Sequence, residues 1–185
     1  MIVTLASRSP RRRELIKKID GLTVNVTESG VEENATASSP ELLVQQLAFI
    51  KAKAVYERDG GIVIGADTIV AIDGQVLGKP KTVDEADGFF RLLCGKTHQV
   101  YTGLAVISDK REITTVECTN VTFAPYDSET VQKYIASGSP FDKAGGYGIQ
   151  DEMLKPMIES VEGDLDNVIG LPVELLRKTR QENEW

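Results

Sequence analysis

A chain of 185 residues with 41% hydrophobic content is long enough to bury a substantial core, and we read residues 1–185 as a single domain with room for two lobes. Its formal charge of −7 argues against a general nucleic-acid or membrane-surface binder, because repulsion from phosphate would act everywhere except at a local basic site. Cys94 and Cys118 lack metal-ligand spacing, no apolar run is long enough to cross a bilayer, and Met1 leads directly into a strand without a secretory core, so a reduced, cytoplasmic protein is expected.

Ile2 to Ala6 reads as a strand, followed by Ser7-Arg8-Ser9 and a helix opened by Pro10, with Ser9 as its N-cap. Arg11, Arg12 and Arg13 stand in the first turn, where cations oppose the helix dipole. Free N–H groups, two serine hydroxyls and these arginines together suit a bound anion, the alternative being a solvated basic turn. Leu22 to Val26 is a second strand candidate, and the loop after it carries Glu28, Glu32 and Glu33.

Ser38 or Ser39 caps a helix from Pro40 to about Glu57, on which Leu43, Leu47, Ile50 and Ala54 form one stripe. Lys51 lies about 40° from Leu47 on the core-facing side, so it either snorkels outward or meets a buried anion. Ile62 to Val70 is an apolar, β-branched run that reads as a buried central strand, interrupted by Asp67 behind the small residues Gly65 and Ala66. Asp67 therefore either caps a turn with its own side chain or has a partner and marks a site at a strand end.

Asp73-Gly74 predicts a two-residue hairpin, Lys79-Pro80 an extended segment, and Thr82 the cap of a helix running through Leu93 to Gly95. Strands are expected over His98 to Ile107 and Ile113 to Phe123, with His98, the one histidine, more often structural than catalytic in such a place. Asp127 or Ser128 should cap a helix through Ile135. Phe141 to Gln150 is a glycine-rich loop whose backbone amides can close on a ligand, with Asp142, Lys143 and Gln150 as polar contacts, yet it has neither Walker nor dinucleotide spacing. Met153 to Val161 is read as strand, and Pro172 leads into a short helix ending near Arg180.

Seven fragments in order carry a family resemblance: Ala6-Ser7-x-Ser9-Pro10-Arg11-Arg12, Leu47-Ala48-x-x-Lys51-Ala52, Gly65-Ala66-Asp67-Thr68, Leu77-Gly78-Lys79-Pro80, His98 to Gly103, Asp142 to Gln150, and Asn167 to Pro172. Together they resemble the Maf family of nucleoside triphosphate pyrophosphatases. The resemblance implies a mixed α/β fold with a central sheet flanked by helices and a cleft between two lobes, similar to the inosine triphosphate pyrophosphatase fold, and a homodimer. It also implies cleavage between the α and β phosphorus atoms of a nucleoside triphosphate substrate. Carried over residue by residue, the catalytic carboxylate falls on Asp67, the polar set on Ser7, Arg12, Glu33, Lys51 and Lys79, and the subgroup positions on Arg11, Thr68 and Gln150, in the pattern of the dTTP and UTP subgroup. Asp151-Glu152 and Asp164-Leu165-Asp166 depart from the family pattern, both near the expected base pocket.

The chemistry suits these residues. A bound triphosphate carries about four negative charges, so neutralisation by Arg11, Arg12, Lys51, Lys79 and a divalent cation, Mg²⁺ or Mn²⁺, should dominate. Asp67, with Glu33, would hold that metal, or Asp67 would take a proton from the attacking water. A nucleotide-binding regulator of septum formation with little turnover is the alternative function. An RNA-binding module is disfavoured by the charge and by the lack of aromatics between basic residues.

Overall fold

The computed structural model describes residues 1–32, 34–183 and 185. Among the described residues, seven strands and six α-helices follow in the order β1 (Ile2–Ala6), α1 (Pro10–Ile16), β2 (Thr23–Thr27), α2 (Pro40–Asp59), β3 (Val63–Ile72), β4 (Gln75–Leu77), α3 (Val83–Leu93), β5 (Thr97–Ser108), β6 (Arg111–Phe123), α4 (Ser128–Ala136), β7 (Ile158–Glu162), α5 (Leu165–Ile169) and α6 (Val173–Asn183). The strands form one mixed sheet in the order β2-β1-β3-β5-β6-β7, with β4 paired to β3 off that path. The chain divides into two compact units, the first made of residues 1–68, 102–117 and 166–185, the second of 69–101 and 118–165.

In the first unit β1 pairs in parallel with both β2 and β3, with Ala6 opposite Gly65. Strand alternation then sends successive residues to opposite faces. Val3, Leu5, Ile64, Ala66, Leu104 and Val106 pack with Leu15 and Ile16 of α1 and Val173 and Leu176 of α6. Ala6, Val63, Ala105 and Ile107 pack with Ala48, Ala52 and Val55 of α2. Two glycines let α2 come close: a Cβ on Gly65 would stand 2.3 Å from the Ala48 carbonyl oxygen, and one on Gly103 2.2 Å from that of Val44.

In the second unit β3 and β4 form the hairpin expected from Asp73-Gly74, whose φ values of 50° and 77° require the left-handed region at both turn residues. Its core is aromatic. Phe90 of α3 stacks on Phe123 and meets Tyr134 of α4 edge-on, and His98, Phe123 and Tyr147 pack edge to face with centroids 4.8–5.4 Å apart.

The caps are as expected at Ser9, Ser39, Thr82 and Asp127, each side chain accepting a backbone N–H of the first turn. Two expectations are corrected. The buried stripe of α2 is Val44, Leu47, Ala48, Lys51, Ala52 and Val55, whereas Leu43, Ile50 and Ala54 lie half-buried at its margins. Close approach to the sheet selects small residues there, so the largest apolar residues do not mark the centre. The second correction concerns Met153–Met157, which fall in a 3₁₀ turn over Glu152–Met157 rather than in a strand. The Leu154 N–H bonds back to Asp151 O and Pro156 has none to donate, so pairing starts only at Ile158.

Because Gly65 meets helix backbone, Gly65→Ala should cost about 1–3 kcal/mol, the range for overpacking a rigid site. Urea unfolding measures it, and a loss below 0.5 kcal/mol, roughly the noise of a neutral surface change, would show that α2 shifts freely.

Candidate active site

Asp67 follows Gly65 on β3 and faces α2. Its Oδ1 accepts a hydrogen bond from Lys51 Nζ at 2.5 Å, and both side chains are about nine-tenths buried, at 10% exposure each. Asp67 Oδ2 makes no hydrogen bond among the described residues. A buried ion pair seldom adds net stability over apolar side chains of similar volume, because desolvating both charges offsets their attraction. Asp67 stands in the middle of β3, not at a strand end as expected, because β3 runs on to Ile72 past the last residue of β1, Ala6, which pairs with Gly65. A buried pair in a central strand is better explained by chemistry, and Lys51 meets the buried anion rather than snorkelling.

The next residue, Thr68, turns to the other face. Arg12 of α1 donates from Nη2 to Thr68 Oγ1 at 3.0 Å and from Nε to the Gly170 carbonyl at 2.7 Å. Thr68 Oγ1 lies 2.9 Å from Thr102 Oγ1, which donates to the Asn167 carbonyl at 3.0 Å. Since that bond uses the one hydroxyl hydrogen of Thr102, Thr68 is the donor between the two. Thr102 and the Asn167-Gly170 segment lie in two of the quoted fragments, but the sequence reading gave neither of them a role beside Thr68. A buried threonine opposite a site strand was the available signal.

Ser7 is buried just beyond the end of β1, and its Oγ accepts from Ser9 N at 3.2 Å, so the serine loop is internally ordered before α1 begins. Arg11 is half-buried in the first turn of α1, which has no acidic residue. The first unit thus brings Ser7, Arg11, Arg12, Lys51, Asp67 and Thr68 onto β1, β3 and the helices packed on them, around the carboxyl end of the parallel strand β1, a common place for ligands in α/β sheets. Glu33 lies outside the described residues.

Lys79 and Gln150 belong to the second unit, and both are exposed. Lys79 has no ion-pair partner among the described residues. The glycines of the loop serve packing more than amide display. Gly145 N donates to Gly78 O at 2.9 Å, a Cβ on Gly145 would stand 2.7 Å from Val70 Cγ2, and Gly146 faces Pro80. Their φ values of 67° and 74° allow the two loop segments, Leu77 to Pro80 and Lys143 to Gly148, to nest together. Both departures from the family pattern are structurally engaged. Asp151 accepts from Tyr134 and Ser139, and Asp166 pairs with Lys18 at 2.6 Å.

His98 is fully buried, with Nε2 2.7 Å from the Tyr147 hydroxyl, and burial lowers its pKa from 6.5 to about 4. It is a core residue, as the sequence suggested. Tyr147 is pushed up from the usual phenol range by the same burial.

No group of three or more His, Cys, Asp or Glu capable of holding a metal occurs among the described residues. A cation here would therefore take Asp67 as its carboxylate ligand and complete its shell with phosphate oxygens and water, the habit of Mg²⁺ in phosphate sites. The open Oδ2 of Asp67 fits that requirement.

The family model described as Maf-like protein matches residues 2–182. The chain belongs to the Maf family. It is 44% identical over 182 residues to a dTTP/UTP pyrophosphatase of Bacillus cereus, spanning 97% of this chain and 94% of that protein. It is 43% identical over 180 residues to a dTTP/UTP pyrophosphatase of Thermococcus gammatolerans, spanning 97% and 96%. Among solved structures, the Ham1 protein of Staphylococcus aureus aligns over 99% of this Maf chain and 100% of its own, with a TM-score of 0.60 and 12% identity. A HAM1 protein of Coxiella burnetii gives 0.59 and 14% over 98% and 99%. At such identities the likeness is one of fold, and the mixed α/β fold implied by the resemblance is the one observed.

His98 supplies a prediction of pH dependence. Its folded pKa lies below the unfolded value, so the unfolded chain binds the extra proton first as pH falls, and stability is lost between pH 6.5 and about 4. The loss through this group should be about 2–3 kcal/mol. Urea titrations at pH 7 and pH 5 on the wild type and His98→Asn check it, an equally steep decline in both proteins being the contrary result.

Proposed function

We propose that this Maf protein is a nucleoside triphosphate pyrophosphatase that hydrolyses dTTP and UTP to the monophosphate and pyrophosphate. The observation that carries the reading is the buried Lys51–Asp67 pair with one carboxylate oxygen uncommitted, and the names of its relatives support it. Water attacks the α phosphorus, the bond from that phosphorus to the bridging oxygen breaks, and pyrophosphate leaves with the electron pair. Asp67 is the catalytic residue, its Oδ2 placed to accept the proton of the attacking water or to ligate a cation. Lys51 fixes the carboxylate from the helix side.

Ser7, Arg11, Arg12 and Lys79 are the proposed phosphate-binding groups, preorganised cations acting on charge that moves onto the leaving oxygen. Mg²⁺ or Mn²⁺, held by Asp67 and Glu33, would supply further neutralisation of the phosphates. Gln150 reads the base. Its amide offers a donor and an acceptor that match O4 and N3–H of uracil and thymine, whereas cytosine presents the reversed pattern at these atoms. Thr68 and Arg11 complete the selecting set.

A pyrophosphate-release assay over dTTP, UTP and CTP with Mg²⁺ and Mn²⁺ tests the proposal. dTTP and UTP should exceed CTP by at least about tenfold in kcat/KM, the level that mismatched buried polar groups can impose. Release of orthophosphate and a nucleoside diphosphate would refute the assigned bond cleavage. Asp67→Asn, which keeps size and removes charge, should lower kcat by about 100-fold or more while leaving the fold intact. Near-wild-type turnover in that variant would exclude Asp67 as the catalytic group.

A further inference from the structure

The turn that carries Gln150 is held at both ends by one hydroxyl. Tyr134, on α4, is almost fully buried, and its hydroxyl donates to Asp151 Oδ2 at 2.5 Å while accepting from Gly148 N at 3.0 Å. The turn closes on itself through Asp151 N and Gly148 O, also at 3.0 Å. Ser139 Oγ donates to the same Oδ2 at 2.9 Å, and Lys143 Nζ stands 3.7 Å from it while bonding Ser139 O at 2.6 Å. Gly148 is the residue that leaves room for this arrangement, since a Cβ there would lie 2.7 Å from Asp151 Oδ2 and 2.8 Å from Lys143 Cε. Burial and the bond to Asp151 raise the Tyr134 pKa, so the phenol keeps the proton that it donates.

We infer that Asp151 is a positioning residue for base selection: its carboxylate, clamped by Tyr134, Ser139 and Lys143, fixes the Gly148–Asp151 turn and so the place of the Gln150 amide. The inference rests on the reading that Gln150 contacts the base. A glutamine has three rotatable side-chain bonds and Gln150 is exposed, so its precision depends on the backbone beneath it. A charged acceptor holding two hydroxyls is a stronger anchor than a neutral one. Truncating it leaves the donors of Tyr134 and Ser139 without their acceptor and the Gly148 end of the turn tied to a hydroxyl free to rotate.

The experiment compares wild type, Asp151→Ala, Asp151→Asn and Tyr134→Phe in two measurements: kcat/KM for UTP and CTP, and amide hydrogen exchange across residues 148–151 in nucleotide-free protein. In Asp151→Ala, exchange at Gly148 should accelerate by about tenfold, the equivalent of one lost hydrogen bond, and the UTP-to-CTP ratio should fall by about tenfold through loss of UTP activity. Tyr134→Phe should move both readouts the same way. Asp151→Asn, whose amide oxygen still accepts from Tyr134, should keep the ratio within about threefold of wild type. A merely structural role would lower UTP and CTP hydrolysis together and leave the ratio unchanged, and that result in folded Asp151→Ala or Tyr134→Phe overturns the inference. Equal UTP and CTP hydrolysis by the wild type, with exchange still faster in Asp151→Ala, would remove base reading by Gln150 and with it the positioning role, while the clamp itself would stand.

Discussion

The close seating of α2 on β3 and β5 is the constraint from which the candidate site follows. With glycine at 65 and 103 and alanine at 48 and 52, helix backbone rather than side chain meets the sheet. Lys51, one turn beyond Leu47, is then buried with its ammonium against a strand carboxylate, where a wider helix–sheet gap would place solvent. Small residues at these positions contribute little burial of their own. Their effect is to set a distance.

Strand alternation does the second part of the work. Asp67 and Thr68 are neighbours in sequence, yet the pleat sends the first to a lysine on α2 and the second to an arginine on α1. A carboxylate held by an ammonium and a hydroxyl held by a guanidinium are thereby insulated from each other by the thickness of one sheet. Either pair alone would be an ordinary structural contact. Their adjacency beside the carboxyl end of β1 gives the segment its chemical character.

Much of the fold was legible because local chemistry agreed with global structure. Ser9-Pro10, Ser39-Pro40, Thr82 and Asp127 start their helices where capping chemistry places them, and Asp73-Gly74 turns its hairpin. The face of α2 was misjudged because hydrophobicity favours Leu43 and Ile50, whereas close packing favours Ala48 and Ala52. The segment after Gln150 was misjudged because its apolar residues resemble a strand, and only the return bond from Leu154 N to Asp151 O reveals the 3₁₀ turn. For the site, the sequence pointed to Asp67 and Lys51, and the structure joins them. It could not reveal the bonds made by Thr102 and Tyr134 or the ties of Asp151, since these partners lie 34, 14 and 17 residues from the groups they bond.

The row of groups from Arg12 through Thr68 and Thr102 to the Asn167 carbonyl has a direction. A guanidinium can only give hydrogens and a carbonyl can only take them, so both hydroxyls between them must point the same way. Reversing one would set two donors or two acceptors face to face. Thr68 therefore presents a lone pair, not a hydrogen, to whatever approaches it. Phosphate oxygens, which need donors, are poorly matched to that surface, and an N–H or a sugar hydroxyl is well matched. The row thus fixes the polarity of the surface at Thr68: a donor finds an acceptor there, and a further acceptor does not find a donor.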